Sequence, residues 1–302
     1  PTNQTIKSMI DELKNKAREL LKNKQVDLII GYQRASDGVL AMPCFVDREE
    51  DVDKLIWDVY CVYNLSNYLK DFPGKKIGII AKPCDVKSIV VLLQENQLRR
   101  ENVYIIGVEC SGVIDEKRLR LGAKDIQESV TFGAKCKSCK SSIPSICDYL
   151  FEDKEKKGKI SQDKDEYESV RKLEAKSALE RLKFWEEEFS RCIRCYACRQ
   201  VCPMCYCPKC VADQTQPAWF SKGANLKGNL SWNVIRAIHL GGRCIDCGEC
   251  ERVCPVGIPL RELNKKIEKD IKELFKYEAG ANVEQKPLLA SFDKDDPGDW
   301  IK

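Results

Sequence analysis

The chain has 302 residues, with 51 basic and 47 acidic side chains and a formal charge of +4, a length that suggests two domains. Near-neutral charge without a basic stripe argues against nucleic-acid binding, and the longest apolar runs, such as Ile89 to Leu93, fall far short of a membrane span. Eighteen cysteines against a single histidine, His239, leave disulfides, all-cysteine zinc sites or iron–sulfur clusters as the explanations.

The first 24 residues are polar and carry no apolar signal region, and the Lys/Glu-rich composition reads as cytoplasmic, where thiols stay reduced and disulfides fit badly. Residues 5–23 place Ile6, Met9, Ile10, Leu13, Ala17, Leu20 and Leu21 at helical spacing. Short strands are predicted over 26–30 and 38–42, and a helix from Asp47 to Leu69. Phe72-Pro-Gly is a turn. A buried strand over Lys76 to Lys82 ends at Pro83-Cys84-Asp85, where Asp85 caps a helix from Val86 to Asn96. The next strand, Asn102 to Glu109, ends at Cys110-Ser-Gly. Strand, helix and strand at this spacing make a βαβ unit with parallel strands.

Cys84 and Cys110 therefore sit just past the C-terminal ends of two strands, the edge where open α/β sheets bind ligands. With Cys136-Lys-Ser-Cys139 they can converge on a [4Fe–4S] cluster. The bland alternative for Cys84 is a buried small hydrophobe. Residues 152–168 are charged and read as a surface linker. An amphipathic helix follows from Tyr167 to Phe189, anchored by Val170, Leu173, Leu179, Leu182 and Phe189.

The decisive spacing comes next. Cys192, Cys195, Cys198 and Cys202 form C-x2-C-x2-C-x3-C followed by Pro203, and Cys244, Cys247, Cys250 and Cys254 repeat it before Pro255. This is the bacterial ferredoxin run, in which the fourth cysteine serves the other cluster. The expected ligand sets are thus Cys192, Cys195, Cys198 and Cys254 for one [4Fe–4S] cluster, and Cys202, Cys244, Cys247 and Cys250 for a second. Zinc knuckles, the alternative, pair their ligands as two separated C-x2-4-C units. Each oxidised cubane with its thiolates carries about −2. Arg191, Arg194, Arg199, Arg243 and Arg252 compensate it or are simply solvated surface arginines.

Cys205, Cys207 and Cys210 follow the first run, and with Cys61 as the distant donor they form a candidate fourth cluster. A zinc site or inert thiols remain alternatives there, and Cys44 and Cys147 are left over. Residues 214–232 are a loop-rich insert holding Trp219, Phe220 and Trp232. A short helix over 233–240 leads into the second run and a closing helix spans 260–277. The tail from Ala279 to Lys302, with Pro287, Pro297 and Trp300, lacks periodicity and is either disordered or an arm laid on a partner. Trp219, Phe220 and Trp300 are candidate docking aromatics, or core. The expected organisation is an α/β domain over 1–150, a linker and helix over 151–190, a mainly α-helical dicluster ferredoxin domain over 191–278 and an extended tail over 279–302.

The two ferredoxin runs, with the Gly242-Arg-Cys lead-in and the Cys254-Pro-Val-Gly-Ile-Pro-Leu exit, resemble the α-helical ferredoxin domains of heterodisulfide reductase C-type subunits. Lys82-Pro-Cys-Asp-Val-Lys, Gly107-Val-Glu-Cys-Ser-Gly and Cys136-Lys-Ser-Cys resemble the beta-subunit family of deazaflavin (factor-420)-reducing hydrogenases and formate dehydrogenases. The resemblance covers about residues 25–270. It implies an anaerobic electron-transfer subunit working with heterodisulfide reductase-, hydrogenase- or formate dehydrogenase-like partners. It also implies FAD on the first domain, near Cys84, Cys110 and Lys82. Two features depart from the deazaflavin-linked members: the dicluster segment follows the α/β domain, and no Gly-x-Gly-x-x-Gly fingerprint is present.

The expected function is one-electron relay through [4Fe–4S] clusters, with two-electron chemistry at a flavin here or on a partner. The competing reading is a scaffold whose clusters mainly hold the fold together. No acid–base or nucleophile constellation stands out, and His239 reads as packing or a cluster hydrogen bond.

Overall fold

The computed structural model describes residues 3–116, 132–152, 165–219, 221–292 and 294–295. The chain forms two compact units. The first runs to Lys164 and takes in Gly280–Gln285; the second comprises Asp165–Ala279 and the residues from Lys286 onward.

The first unit is built on a five-stranded sheet of order β2-β1-β3-β4-β5. Its strands are β1 (Leu28–Arg34), β2 (Ala41–Val46), β3 (Ile77–Ala81), β4 (Val103–Val108) and β5 (Tyr149–Phe151). β1 and β2 pair antiparallel, and every other neighbouring pair is parallel. Successive residues point to opposite faces of a sheet, so each Ile-Ile pair feeds two cores. Ile30, Ile79 and Ile105 meet Val86, Ile89 and Val90 of helix α2 (Pro83–Gln94). Ile29, Ile80 and Ile106 meet Leu13, Ala17 and Leu20 of helix α1 (Asn3–Lys22). Helices thus cover both faces, which is why β3 is buried along its whole length.

Three local readings change in the first unit. Asp85 does not begin α2; Lys82 is the N-cap, and the Asp85 carboxylate accepts the Lys82 N–H at 2.8 Å in a capping box. Residues 47–69 are not one helix but two short 3₁₀ turns, Glu49–Lys54 and Leu65–Asp71. Between them Ile56 bridges to Tyr32, and the Asp58 side chain accepts the Tyr60 N–H at 2.8 Å. Such local side-chain bonds compete with helix formation. The last change concerns the tail. Residues 280–285 are seated on the first unit of this same chain, where Gln94 Nε2 donates to the carbonyls of Asn282 and Gln285 at 2.7 Å each.

The second unit is helical. It contains α4 (Glu168–Glu174), α5 (Ala178–Ser190), α6 (Ala197–Gln200), α7 (Leu226–His239), α8 (Glu249–Arg252) and α9 (Leu260–Phe275). The helix expected over 167–189 is broken at Ser177. There Ser177 and Glu180 exchange hydrogen bonds in a second capping box and start α5 afresh. Leu179 is 74% exposed and is no anchor; burial comes from Phe189, stacked on Trp185 with ring centroids 5.3 Å apart. α7 begins earlier than expected because Asn225 caps it by accepting the Gly228 N–H at 2.9 Å. Trp232 is core, whereas Trp219 is exposed. Phe220, Trp300 and linker residues 153–164 lie outside the described residues. Among the described residues no helix is long and apolar enough to cross a membrane.

Candidate metal centre

The two cysteine runs have the same local conformation. In each, the residue before the second cysteine and the residue after it are left-handed: Arg194 (φ 56°) and Tyr196 (φ 58°) in the first, Asp246 (φ 55°) and Gly248 (φ 69°) in the second. Three of these four are not glycine, and such residues rarely occupy that region. Strain of this kind persists where the surroundings enforce it, commonly at functional sites. Each loop then runs into a single helical turn, α6 or α8, and the fourth cysteine follows. Beyond it the chain turns in matching fashion: the Cys205 N–H donates to Cys202 O at 3.0 Å, and the Gly257 N–H to Cys254 O at 3.2 Å.

Cys192, Cys195, Cys198 and Cys254 line one pocket. Trp232, Val256, Ile258 and Leu260 contribute its apolar wall. The fourth cysteine of the second run therefore faces the first three of the first run. Polar groups reach the sulfurs from the backbone and from α7. The Ile258 N–H lies 3.4 Å from Cys254 Sγ, and Asn233 Nδ2 lies 4.0 Å from Cys192 Sγ. Asn229 Nδ2 holds the loop itself, donating to Phe189 O at 3.0 Å and Cys192 O at 2.8 Å. Asn229, Asn233 and Arg236 recur at i, i+4 and i+7, one face of α7, and all three are buried.

Around the second run, Cys202 and Cys250 both lie near the Arg236 guanidinium, and Cys244 lies near Cys250. Burial pushes the Cys250 thiol up to about 12, with Arg236 opposing; burial likewise pushes Cys244 well up. Asn264 Nδ2 of α9 lies 3.8 Å from Cys250 Sγ. Cys247 is half-buried in the same loop. The loop is tied to α9 by Asp246, which accepts from Arg261 at 2.6 and 2.7 Å and pairs with Lys265 at 3.0 Å. Burial opposes the Asp246 charge, but these two cations hold its carboxyl below the ordinary range.

The candidate set Cys61, Cys205, Cys207 and Cys210 draws on both units. Cys61 is 0% exposed inside the core of the first unit, where burial pushes its thiol far up. Cys205, Cys207 and Cys210 belong to the second unit. Cys205 hydrogen-bonds to Cys202 and holds that thiol down, Cys207 is exposed, and Cys210 bonds to Arg199. Cys44 is buried 3.3 Å from Gln33 Oε1, and Cys147 packs beside Gly107.

In the first unit, Cys84 opens α2, Cys110 follows β4, and Cys136 lies in the short helix α3 (Ala134–Lys137), with Cys139 just beyond. Cys110 lies near Cys84, Cys136 and Cys139. The Gly112 N–H donates to Cys110 Sγ at 3.4 Å, and the Val113 N–H to Cys136 Sγ at 3.3 Å. Gly112 has φ +117°, and a Cβ there would meet Phe132 at 2.9 Å and Cys136 at 3.4 Å, so this close turn needs glycine. Lys82, just past the end of β3, is buried among its own partners. It is 1% exposed. Its Nζ donates to Tyr63 O at 2.6 Å, pairs with Asp85 at 3.0 Å and contacts the Tyr32 hydroxyl.

Among the described residues no three His, Cys, Asp or Glu side chains gather as tightly as one metal ion requires. A cubane instead takes its four thiolates on separate irons. The sequence pattern identified the eight motif cysteines but not Asn229, Asn233, Arg236 or Asn264. For Asn229, Asn233 and Arg236 the available signal was polar side chains at i, i+4 and i+7 of α7, where amphipathic spacing calls for apolar residues.

Residues 188–258 match the family model of the 4Fe-4S dicluster domain. The chain is 27% identical to an F420-dependent formate dehydrogenase subunit beta of Methanocaldococcus jannaschii, over 89% of this chain and 91% of that protein. It is 24% identical to an F420-dependent formate dehydrogenase 1 subunit beta of Methanococcus maripaludis, over 89% of this chain and 90% of that one. A shorter similarity, 35% over 22% of this chain and 20% of the relative, links it to the polyferredoxin protein MvhB of Methanothermus fervidus.

Proposed function

We propose that this 4Fe-4S electron-transfer protein, an oxidoreductase component, relays single electrons within a multi-subunit complex of the formate dehydrogenase, hydrogenase or heterodisulfide reductase type. The observation that carries the reading is the pocket lined by Cys192, Cys195, Cys198 and Cys254, because it draws thiols from both runs. Cys192, Cys195, Cys198 and Cys254 would hold one cluster, and Cys202, Cys244, Cys247 and Cys250 the other. Two clusters with interleaved ligands are close, as relay requires. When bound, each supplies one-electron chemistry. The chain's residues anchor it with thiolates, aim Asn233, Asn264 and backbone N–H groups at the sulfurs, and wall it with apolar side chains.

Cys84, Cys110, Cys136 and Cys139 would hold a third cluster at the C-terminal edge of the sheet. Their mutual proximity and the two backbone N–H groups aimed at sulfur support this. The names of the relatives favour a deazaflavin as two-electron partner and a formate-oxidising subunit as neighbour. FAD, on the first unit or on a partner, would convert between single electrons and hydride. Exposed Cys195 and Cys207 suit a reducing, anaerobic cytoplasm.

The test is an anaerobic titration of the full chain with dithionite, followed by visible absorbance and electron paramagnetic resonance. Reversible one-electron reduction of every cluster is expected. Clusters that never leave the oxidised state would favour a structural scaffold. Acid extraction and chromatography of the same sample decide whether FAD is bound here.

A further inference from the structure

α7 carries a full charge on its buried face. Arg236 is 5% exposed. Its Nη2 donates to Cys198 O at 2.9 Å, and its Nε has no hydrogen-bond partner. Three other buried cations have carboxylates: Arg261 and Lys265 share Asp246, and Lys82 has Asp85. Among the described residues no carboxylate pairs with Arg236; its neighbours are the sulfurs of Cys198, Cys202, Cys205 and Cys250. A buried guanidinium without an anion is strongly unfavourable, so such charges are found paired. Neutral thiols do not repay that cost, whereas anionic iron–sulfur clusters do.

We propose that Arg236 is a counter-cation shared by the two clusters of the second unit and that it raises the reduction potential of both. The inference rests on the two-cluster reading above. Cys198 belongs to one ligand set, and Cys202 and Cys250 to the other, so one guanidinium adjoins both. Reduction adds one electron from an external donor to each centre; no bond breaks and no proton is taken up. A fixed positive charge in a poorly solvated site stabilises the more negative, reduced form over the oxidised one. Arg194 makes a natural comparison. It is also buried and bound only to neutral partners, Gly228 O at 2.6 Å, Ser221 O at 2.9 Å and the Tyr196 hydroxyl at 3.1 Å. It lines the pocket of the first set.

The experiment compares wild type, Arg236→Met, Arg236→Lys and Arg194→Met as full chains purified anaerobically. Iron is counted, and the clusters are titrated with dithionite under paramagnetic resonance detection. Arg236→Met is expected to lower both midpoints, by about tenfold or more in the reduction equilibrium (about 59 mV for a one-electron couple). Arg236→Lys is expected to stay near wild type, and Arg194→Met to move one midpoint only. Unchanged midpoints in Arg236→Met, a shift in only one of them, or equal shifts in the Met and Lys variants would overturn the proposal. If Arg236→Met fails to load iron, normal loading of Arg236→Lys supports it and failure of both overturns it. Wild type without redox-active clusters would instead overturn the relay reading, and this inference with it.

Discussion

At the scale of residues, cysteine spacing made the eight sulfurs of two repeated runs legible as a pattern, because the rule for this motif acts over a few residues. The groups that serve those sulfurs were not legible. Asn233 reaches Cys192, and Asn264 reaches Cys250, across gaps that only the fold closes. Asp246 was hidden for the same reason, its partners Arg261 and Lys265 lying a full helix away. It also offers a clean test. Asn tolerates the left-handed backbone found there, so Asp246→Asn removes charge without disturbing the turn. Arg261 and Lys265 would then keep only Glu262 and Glu268 as counter-ions, a loss below the roughly 3–5 kcal/mol of a fully broken buried pair. The expected outcome is a lower thermal midpoint and loss of iron from the variant under a chelator that leaves wild type loaded. Lys82, just past β3, pairs with Asp85 inside the core. Lys82→Met should destabilise the first unit by a similar amount in denaturant unfolding, with little effect on the spectrum of the second unit's clusters.

At the scale of elements, long periodic segments were readable and short ones were not. The βαβ unit from β3 through α2 to β4 follows from continuous apolar strands around an amphipathic helix. β5 spans only three residues, too few to show a period. Residues 47–69 have helical spacing of apolar groups, yet the Ile56 bridge to Tyr32 and the Asp58 turn take the backbone elsewhere. Residues 280–285 lack any pattern because they are held by backbone carbonyls and by one glycine, not by a buried stripe. Gly280 has φ +73°, and a Cβ there would lie 2.4 Å from Lys87 O. Gly280→Ala is therefore expected to destabilise the first unit by about 1–3 kcal/mol, since it adds left-handed strain to a clash. Limited proteolysis should then cut near 280 faster than in wild type. Equal cleavage rates would show that this segment does not depend on the glycine.

At the scale of the whole chain, a mostly parallel sheet and a repeated pair of cysteine loops fold as separate compact units. Both place thiols where turns are tight and backbone N–H groups face sulfur. The repeat explains why the sequence revealed the second unit so readily: each run encodes the same loop, turn and exit. Four of the first unit's thiols are scattered from Cys84 to Cys139: Cys84 and Cys110 follow strand ends, and only Cys136 and Cys139 are linked by a short spacing. The measurement that tests this organisation most directly is iron and acid-labile sulfide per chain on full-length protein purified without oxygen. Each cubane contributes four of each, so about twelve of each are expected. About eight would contradict a third centre at Cys84, Cys110, Cys136 and Cys139. Little iron with stoichiometric zinc would contradict the electron-relay assignment as a whole.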